Sequence, residues 1–195
     1  MSKDLPVRKH PRLKGYDYST NGVYFITLCV KDKHELLGRV IVGRGILYAL
    51  PSDAQLNVGR GTPDAPSIEL SEYGKNVVDT INFLNSKNDK IIIIKYVVMP
   101  NHVHFVVVIN DPSDGALGHE EDGASGKPRP TNALIPKLIS SIKRFTNKQA
   151  GFTIWQDSYY DHIIRDEKDY RRIWQYIDEN PARWTEDDYY IKEKP

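Results

Sequence analysis

Two histidines one residue apart, His102 and His104, stand at the head of the apolar run HVHFVVVI. In an extended strand successive side chains alternate between faces, so both imidazoles project from one face while Val103 and Phe105 project from the other. Same-face neighbours along a strand lie roughly 6.5–7 Å apart at Cα, a separation that two imidazole nitrogens can bridge through one cation. Burying two polar rings in an apolar strand costs free energy unless partners are supplied, and a metal ion is one such partner. A hydrogen-bonded pair of core histidines satisfies the same spacing without a metal.

A third ligand sharpens the metal reading. Cys29 is the only cysteine, which excludes thiolate zinc clusters, CxxC redox chemistry and an intrachain disulfide. His119 falls in a polar, glycine-rich stretch, so the partner is expected to be a carboxylate or amide from another element. Tyr176 and Asn180 stand four residues apart in the helical pattern DEKDYRRIWQYIDEN, with Pro181 stopping the helix at Asn180. At that spacing a phenol and an amide lie one above the other on one helical face and can address the same cation. Tyr159, Tyr160 and Tyr170 have Ile163, Ile164 and Trp174 at the corresponding positions, and none of those can ligate. Because Ile173, Tyr176 and Ile177 form an apolar stripe, a core tyrosine is the alternative for Tyr176.

The elements that must position these groups can be read from pattern. With 195 residues, 39% hydrophobic and 27% charged, the chain is expected to form one domain with elaborations. GVYFITLCV reads as a first core strand, and RVIVGRGILYAL as two short strands around a Gly-Arg-Gly turn. A Pro/Gly/Asp-rich loop follows to Ser67, so residues 38–67 look like an insertion. LSEYGKNVVDTINFLN predicts a helix with Ser71 as its cap. KIIIIKYVVM and HVHFVVVI, split by PN, predict an antiparallel hairpin buried on both faces near the middle of a sheet. Residues 110–130 are polar, glycine-rich and expected to be mobile. NALIPKLISSIKRFTNKQ predicts a second helix with Leu134, Leu138, Ile142 and Phe145 inward, FTIWQDSYYDHIIR a last strand, and DEKDYRRIWQYIDEN a third helix. Strand, helix, hairpin, helix, strand is the ferredoxin-like α+β pattern, an antiparallel sheet with both helices on one face, here with one further helix. The fold alone does not assign a function.

Net charge is +1, which advertises no particular partner, but the charges cluster. Lys3, Arg8, Lys9, Arg12 and Lys14 face one acid, Asp4, in the first 14 residues; Lys137, Lys143, Arg144 and Lys148 face none in KLISSIKRFTNK; acids gather in HEEDG and TEDD. For each basic cluster a solvated face is the plain alternative. No stretch approaches the ~20 apolar residues of a membrane span, and the basic start lacks the apolar region of a signal peptide, so the default compartment is the cytoplasm. GASGKP is not a phosphate loop and GRGTPD does not form GxGxxG.

Taken in order, VVMPNHVHFVVVI, IPKLISSIKRFT, IWQDSYYDHIIRDEKDYRRI and YIDENPARW resemble the single-tyrosine transposases of the His-hydrophobic-His superfamily, especially the REP-associated tyrosine transposases, from about residue 22 to 184. The resemblance implies a ferredoxin-like core. It also implies His102, His104 and Asn180 as ligands of a divalent metal, Mg²⁺ or Mn²⁺, and Tyr176 as the nucleophile that forms a 5′-phosphotyrosine during strand transfer. The partner it implies is single-stranded DNA, hairpin-forming, handled by a monomer or homodimer. Lys143 and Arg144, with Lys137 and Lys148, then suit a DNA-backbone groove. The segment 38–67 is longer than in typical family members. Two other classes fit part of the pattern. A metal-dependent hydrolase would use the His pair without a covalent adduct, and a non-catalytic nucleic-acid binder would need surface aromatics on the central strands, where IIIIKYVV and HVHFVVVI supply mainly aliphatics.

Overall fold

The computed structural model describes residues 20–41, 65–112 and 134–192. In chain order these form β1 (Gly22–Cys29), β2 (Gly38–Ile41), β3 (Ser67–Leu70), α1 (Glu72–Lys87), β4 (Ile91–Val98), β5 (His102–Ile109), α2 (Leu134–Ala150), β6 (Tyr160–Ile164) and α3 (Glu167–Glu179), with 3₁₀ turns at Lys31–Lys33 and Trp184–Glu186. Four strands make one antiparallel sheet in the order β4-β5-β1-β6, and β2 pairs with β3 in a separate ribbon. The architecture is α+β and ferredoxin-like, as the order of elements predicts.

Strand parity sorts the core into two layers. Tyr24, Ile26 and Leu28 of β1 and Val103, Phe105 and Val107 of β5 face Val77 and Ile81 of α1 and Ile135, Leu138, Ile139 and Ile142 of α2. On the other face Phe25, Val106 and Ile164 meet Ile173 and Ile177 of α3. Helices therefore cover both faces of the central strands, which explains why seven of the eight residues of β5 are buried.

The hairpin departs from expectation in one respect: β5 is central but β4 is an edge strand. Ile92 and Ile94 remain 38% and 41% exposed. A continuous apolar run cannot be told from an alternating one when the outward residues are apolar too. The register shifts between Ile93 and Lys95, and this bulge re-aims Lys95 toward α3. There its ammonium sits 2.6 Å from Asp178 and 4.1 Å from the Trp174 ring centroid.

The last strand is also shorter than the run FTIWQDSYYDHIIR suggests, covering only Tyr160–Ile164. Before it the chain makes a single bridge, Val30 to Trp155. The carbonyls of Gln156, Asp157 and Ser158 accept from the Lys143 ammonium and are thus diverted from a strand ladder. The β2 strand pairs with β3, Val40 opposite Ile68, across the segment read as an insertion. The expected strand after Gly-Arg-Gly lies outside the described residues, as do residues 113–130, His119 and the basic cluster of the first 14 residues.

Helix starts follow local chemistry. Ser71 caps α1, its hydroxyl accepting from Gly74 N at 3.2 Å and donating to Leu36 O at 2.7 Å. Position 74 must be glycine, because a Cβ there would lie 2.1 Å from the Leu37 carbonyl oxygen. Asp166 caps α3 through Asp169 N. On α2, Leu138 and Ile142 are buried as expected, but Ile135, Ile139 and Thr146 share that face, while Leu134 and Phe145 are only half-buried. No helix among the described residues is long and apolar enough to cross a membrane.

Candidate active site

His102 and His104 begin β5 on the α3 side of the sheet, paired in register with Cys29 and Thr27 of β1. Both are buried, at 0% and 1% exposure, and their ring centroids are 4.4 Å apart. From above, α3 brings Tyr176 and, at its C-terminal end, Asn180. The Tyr176 hydroxyl lies 3.3 Å from His104 Nε2 and 3.4 Å from Asp187 Oδ2, and Asn180 Nδ2 donates to the same Asp187 oxygen at 3.2 Å. The chain after α3 then folds back, placing Trp184 and Tyr189 5.9 and 4.6 Å from the His102 ring.

Partners on the far side of each imidazole fix its aim. His102 Nδ1 is 2.9 Å from Asn101 Oδ1, and His104 Nδ1 is 2.8 Å from Thr27 Oγ1, so each Nε2 points into the cluster. Two buried atoms there have no hydrogen-bond partner among the described residues: His102 Nε2 and Asn180 Oδ1. Asp187 is a carboxylate and accepts from Asn180 Nδ2, which turns the amide oxygen away and leaves it free. A lone-pair nitrogen and an amide oxygen, both buried and unsatisfied, are what an oxygen- and nitrogen-seeking divalent cation would occupy. Ligating atoms of His102, His104 and Asp187 also lie within 4.8 Å of one another.

Burial dominates the electrostatics. It holds His104 down to about 3. It also holds His102 well below its ordinary value, with the neighbouring His104 and Lys33 charges acting in the same direction. Both rings are therefore neutral, the form that binds metal. Burial and then the Asp187 charge raise the Tyr176 phenol, while Asn180 opposes them. Asp187 itself is raised, first by burial. The Cys29 thiol, buried beside Tyr189, is pushed up to about 11 chiefly by burial and is a poor nucleophile.

No protein-family model matches the chain. It is 30% identical over 191 residues to an uncharacterized protein of Haemophilus influenzae, covering 94% of this chain and 93% of that one. The chain belongs to the same family as this Haemophilus protein. A REP-associated tyrosine transposase, solved bound to a REP hairpin, superposes with a TM-score of 0.53 at 17% identity, over 89% of this chain and 73% of that one. The resemblance seen in the sequence motifs thus extends to the fold.

Four sequence-selected residues, His102, His104, Tyr176 and Asn180, fall in one cluster, whereas the basic residues selected on α2 lie elsewhere. Lys137, Arg144 and Lys148 are exposed, but α2 packs on the sheet face opposite the histidines. Lys143 is not part of a free outer face: its ammonium is spent on the carbonyls of residues 156–158, at 2.9 Å for Asp157. On the histidine side, His162, Arg165, Asp166, Lys168, Asp169 and Arg172 line a groove of about 450 Å³ at the start of α3. Arg172 precedes Tyr176 by four residues, one helical turn along the same side.

Three site residues escaped sequence reading. Asp187 lay in TEDD, visible only as a gathering of acids, and Thr27 and Asn101 carried no signal beyond their types. The one available clue was strand parity, which puts Thr27 beside His104 once the β1–β5 register is known.

Proposed function

We propose that the chain is a metal-dependent tyrosine transposase that nicks and rejoins single-stranded DNA. Tyr176 is the nucleophile and His102, His104 and Asn180 are the metal ligands. One observation carries the reading: the unsatisfied buried atoms His102 Nε2 and Asn180 Oδ1 lie in the cluster that holds the Tyr176 hydroxyl. The fold neighbour's hairpin supports a hairpin-forming single strand as the partner.

The phenol oxygen of Tyr176 attacks the phosphorus of a phosphodiester and displaces the 3′-oxygen. The products are a 5′-phosphotyrosine and a free 3′-OH, so bond energy is conserved and another 3′-OH can reverse the step. A bound Mn²⁺ or Mg²⁺, the imidazoles favouring the former, would supply charge stabilisation for the phosphoryl oxygens. With His104 Nε2 committed to ligation, Asp187 is the remaining acceptor within reach of the phenol proton, and its raised pKa suits a base. Trp184 and Tyr189 pack against the His102 ring and help to hold it buried. For the DNA backbone, Arg165 and Lys168 line a groove on the Tyr176 side of the sheet, beside Arg172, which is paired with Asp169 at 2.7 Å. Lys137, Arg144 and Lys148 would hold a strand only on the far side.

A second reading has one observation in its favour. The His102–His104–Asp187 cluster is a two-histidine, one-carboxylate set that could serve a metal-dependent hydrolase. Incubation with a labelled single-stranded hairpin oligonucleotide and Mn²⁺ or Mg²⁺, followed by a denaturing gel, separates the two. A covalent protein–DNA band is expected; cleavage without that band would install the hydrolase in its place.

A further inference from the structure

The two histidines are held by partners of different chemical kind. Asn101, 1% exposed, donates its amide nitrogen to two backbone carbonyls, Lys33 O at 3.1 Å and Tyr189 O at 2.8 Å. Carbonyls only accept, so the NH₂ end must face them and Oδ1 must face His102 Nδ1, 2.9 Å away. An amide oxygen also only accepts. The hydrogen of neutral His102 therefore sits on Nδ1, and its Nε2 carries the lone pair that has no partner among the described residues. His104 has no such constraint: Thr27 and Tyr176, at 2.8 and 3.3 Å, are both hydroxyls that can donate or accept.

The turn that receives Asn101 is itself unusual. Lys33 has φ 56 and Asp32 φ 57, left-handed values that cost a non-glycine residue roughly 1–2 kcal/mol each. The turn is tied down by Lys33 Nζ donating to Asp188 O at 3.1 Å. Asn101 thus joins three segments: the turn after β1, the β4–β5 connection, and the chain beyond α3.

We propose that Asn101 is a positioning residue that locks His102 in the Nδ1–H tautomer before any cation arrives, while His104 is left free to exchange tautomers. That this matters for ligation rests on the proposed reading of His102 as a metal ligand. A locked ring meets the cation with its lone pair already aimed, whereas an unlocked ring must first move its proton.

The lock can be read without metal, DNA or activity, by long-range proton–nitrogen NMR correlations of the histidine rings in the metal-free full chain. Wild type should show His102 with a protonated Nδ1 and an unprotonated Nε2. Asn101→Ala should give a mixed or inverted pattern. Asn101→Asp should keep Nδ1–H, because a carboxylate oxygen still accepts from it, at a cost in stability because the second oxygen faces the Lys33 and Tyr189 carbonyls. Calorimetric Mn²⁺ binding should weaken about 10–100-fold in Asn101→Ala and be retained in Asn101→Asp. A wild-type ring pattern in Asn101→Ala overturns the proposal. So does an equal disturbance in both variants, since the two carbonyl contacts would then be what matters. If the variants do not fold, the wild-type spectrum decides: Nδ1–H on His102 supports the lock and its absence refutes it. Should wild type show the locked ring but bind no Mn²⁺, the lock stands and the ligand reading fails.

Discussion

Tyr176→Phe removes one oxygen atom and little else, and the structure shows how small the collateral damage should be. The hydroxyl's two contacts are 3.3 Å to His104 and 3.4 Å to Asp187, against an ordinary ~2.7–2.8 Å for such bonds. Each should therefore sit at or below the lower end of the usual ~0.5–1.5 kcal/mol. Asp187 is not orphaned, because it keeps Asn180 Nδ2 at 3.2 Å and Tyr189 N at 2.7 Å. The ring's edge contact with Phe25, centroids 6.1 Å apart, does not involve the oxygen. Because buried His104 Nε2 loses the Tyr176 contact, the expected stability change is about 1–2 kcal/mol, at a melting shift of roughly 2–4 °C per kcal/mol in a domain of this size. Formation of the covalent adduct, by contrast, should vanish, since the attacking atom is gone. Thermal melts, Mn²⁺ calorimetry and hairpin cleavage on a denaturing gel, run in parallel with Tyr170→Phe as a control, give the three readings. Cleavage by the folded Tyr176→Phe chain at a comparable rate would refute the nucleophile assignment, and an adduct mapped by peptide analysis to another tyrosine would relocate it.

Acidification gives a second test. Burial depresses both His102 and His104, so below the unfolded value of about 6.5 the unfolded chain binds protons that the folded chain refuses. Stability is then full above that pH and lost as pH falls, toward about 3 in the case of His104, by up to about 1.4 kcal/mol per pH unit for that ring; metal-free His104→Gln should show a flatter acid limb, and an unchanged limb would contradict this. Because Asp187, the base for the Tyr176 proton, is raised by burial, the adduct-forming rate should climb with pH as that carboxyl ionises, and a flat acid side would point to a step other than chemistry. Removing Arg165 and Lys168 together should reduce the log–log salt slope of single-strand binding by about 0.7 per lost phosphate contact, more than removing Arg144 and Lys148; the reverse order would return the DNA path to α2. Lys143→Met should cost about 1–2 kcal/mol by releasing the carbonyls of residues 156–158, with little change in salt slope, as urea unfolding and binding assays would show.

What could be read from the sequence is what depends on local pattern. Ser71 as the cap of α1 follows from its type and its place just ahead of the helix, and the helical spacing of Tyr176 and Asn180 and the shared face of His102 and His104 follow from 3.6- and 2-residue repeats. What could not be read depends on partners distant in sequence. The edge position of β4 is set by which strand lies beside it, and Ile92 and Ile94 look like core until that is known. Lys143 looks like a free cation on an outer face, because nothing local announces three carbonyls 13 to 15 residues away. Asp187 reaches the site only through the turn at Trp184–Glu186, which no periodicity encodes.

The chemistry hangs on strand register more than on any one contact. In β5 the odd-numbered residues Val103, Phe105 and Val107 fill the layer beneath α1 and α2, and the even-numbered His102 and His104 meet α3. A slip of one residue would drive both imidazoles into that apolar layer and expel Phe105 to the site, so packing enforces the phase that chemistry needs. Consistent with this, β1 and β5 pair without interruption from Gly22–Ile109 to Cys29–His102, while the bulge falls in the edge strand β4, where a change of phase re-aims Lys95 without disturbing the histidines. The same logic governs α3. Ile173 and Ile177 seat the helix on Phe25, Val106 and Ile164, and this seating fixes the rotation that turns Tyr176 and Asn180 toward the histidines. Apolar residues far from any reacting atom thereby decide where the reacting atoms stand.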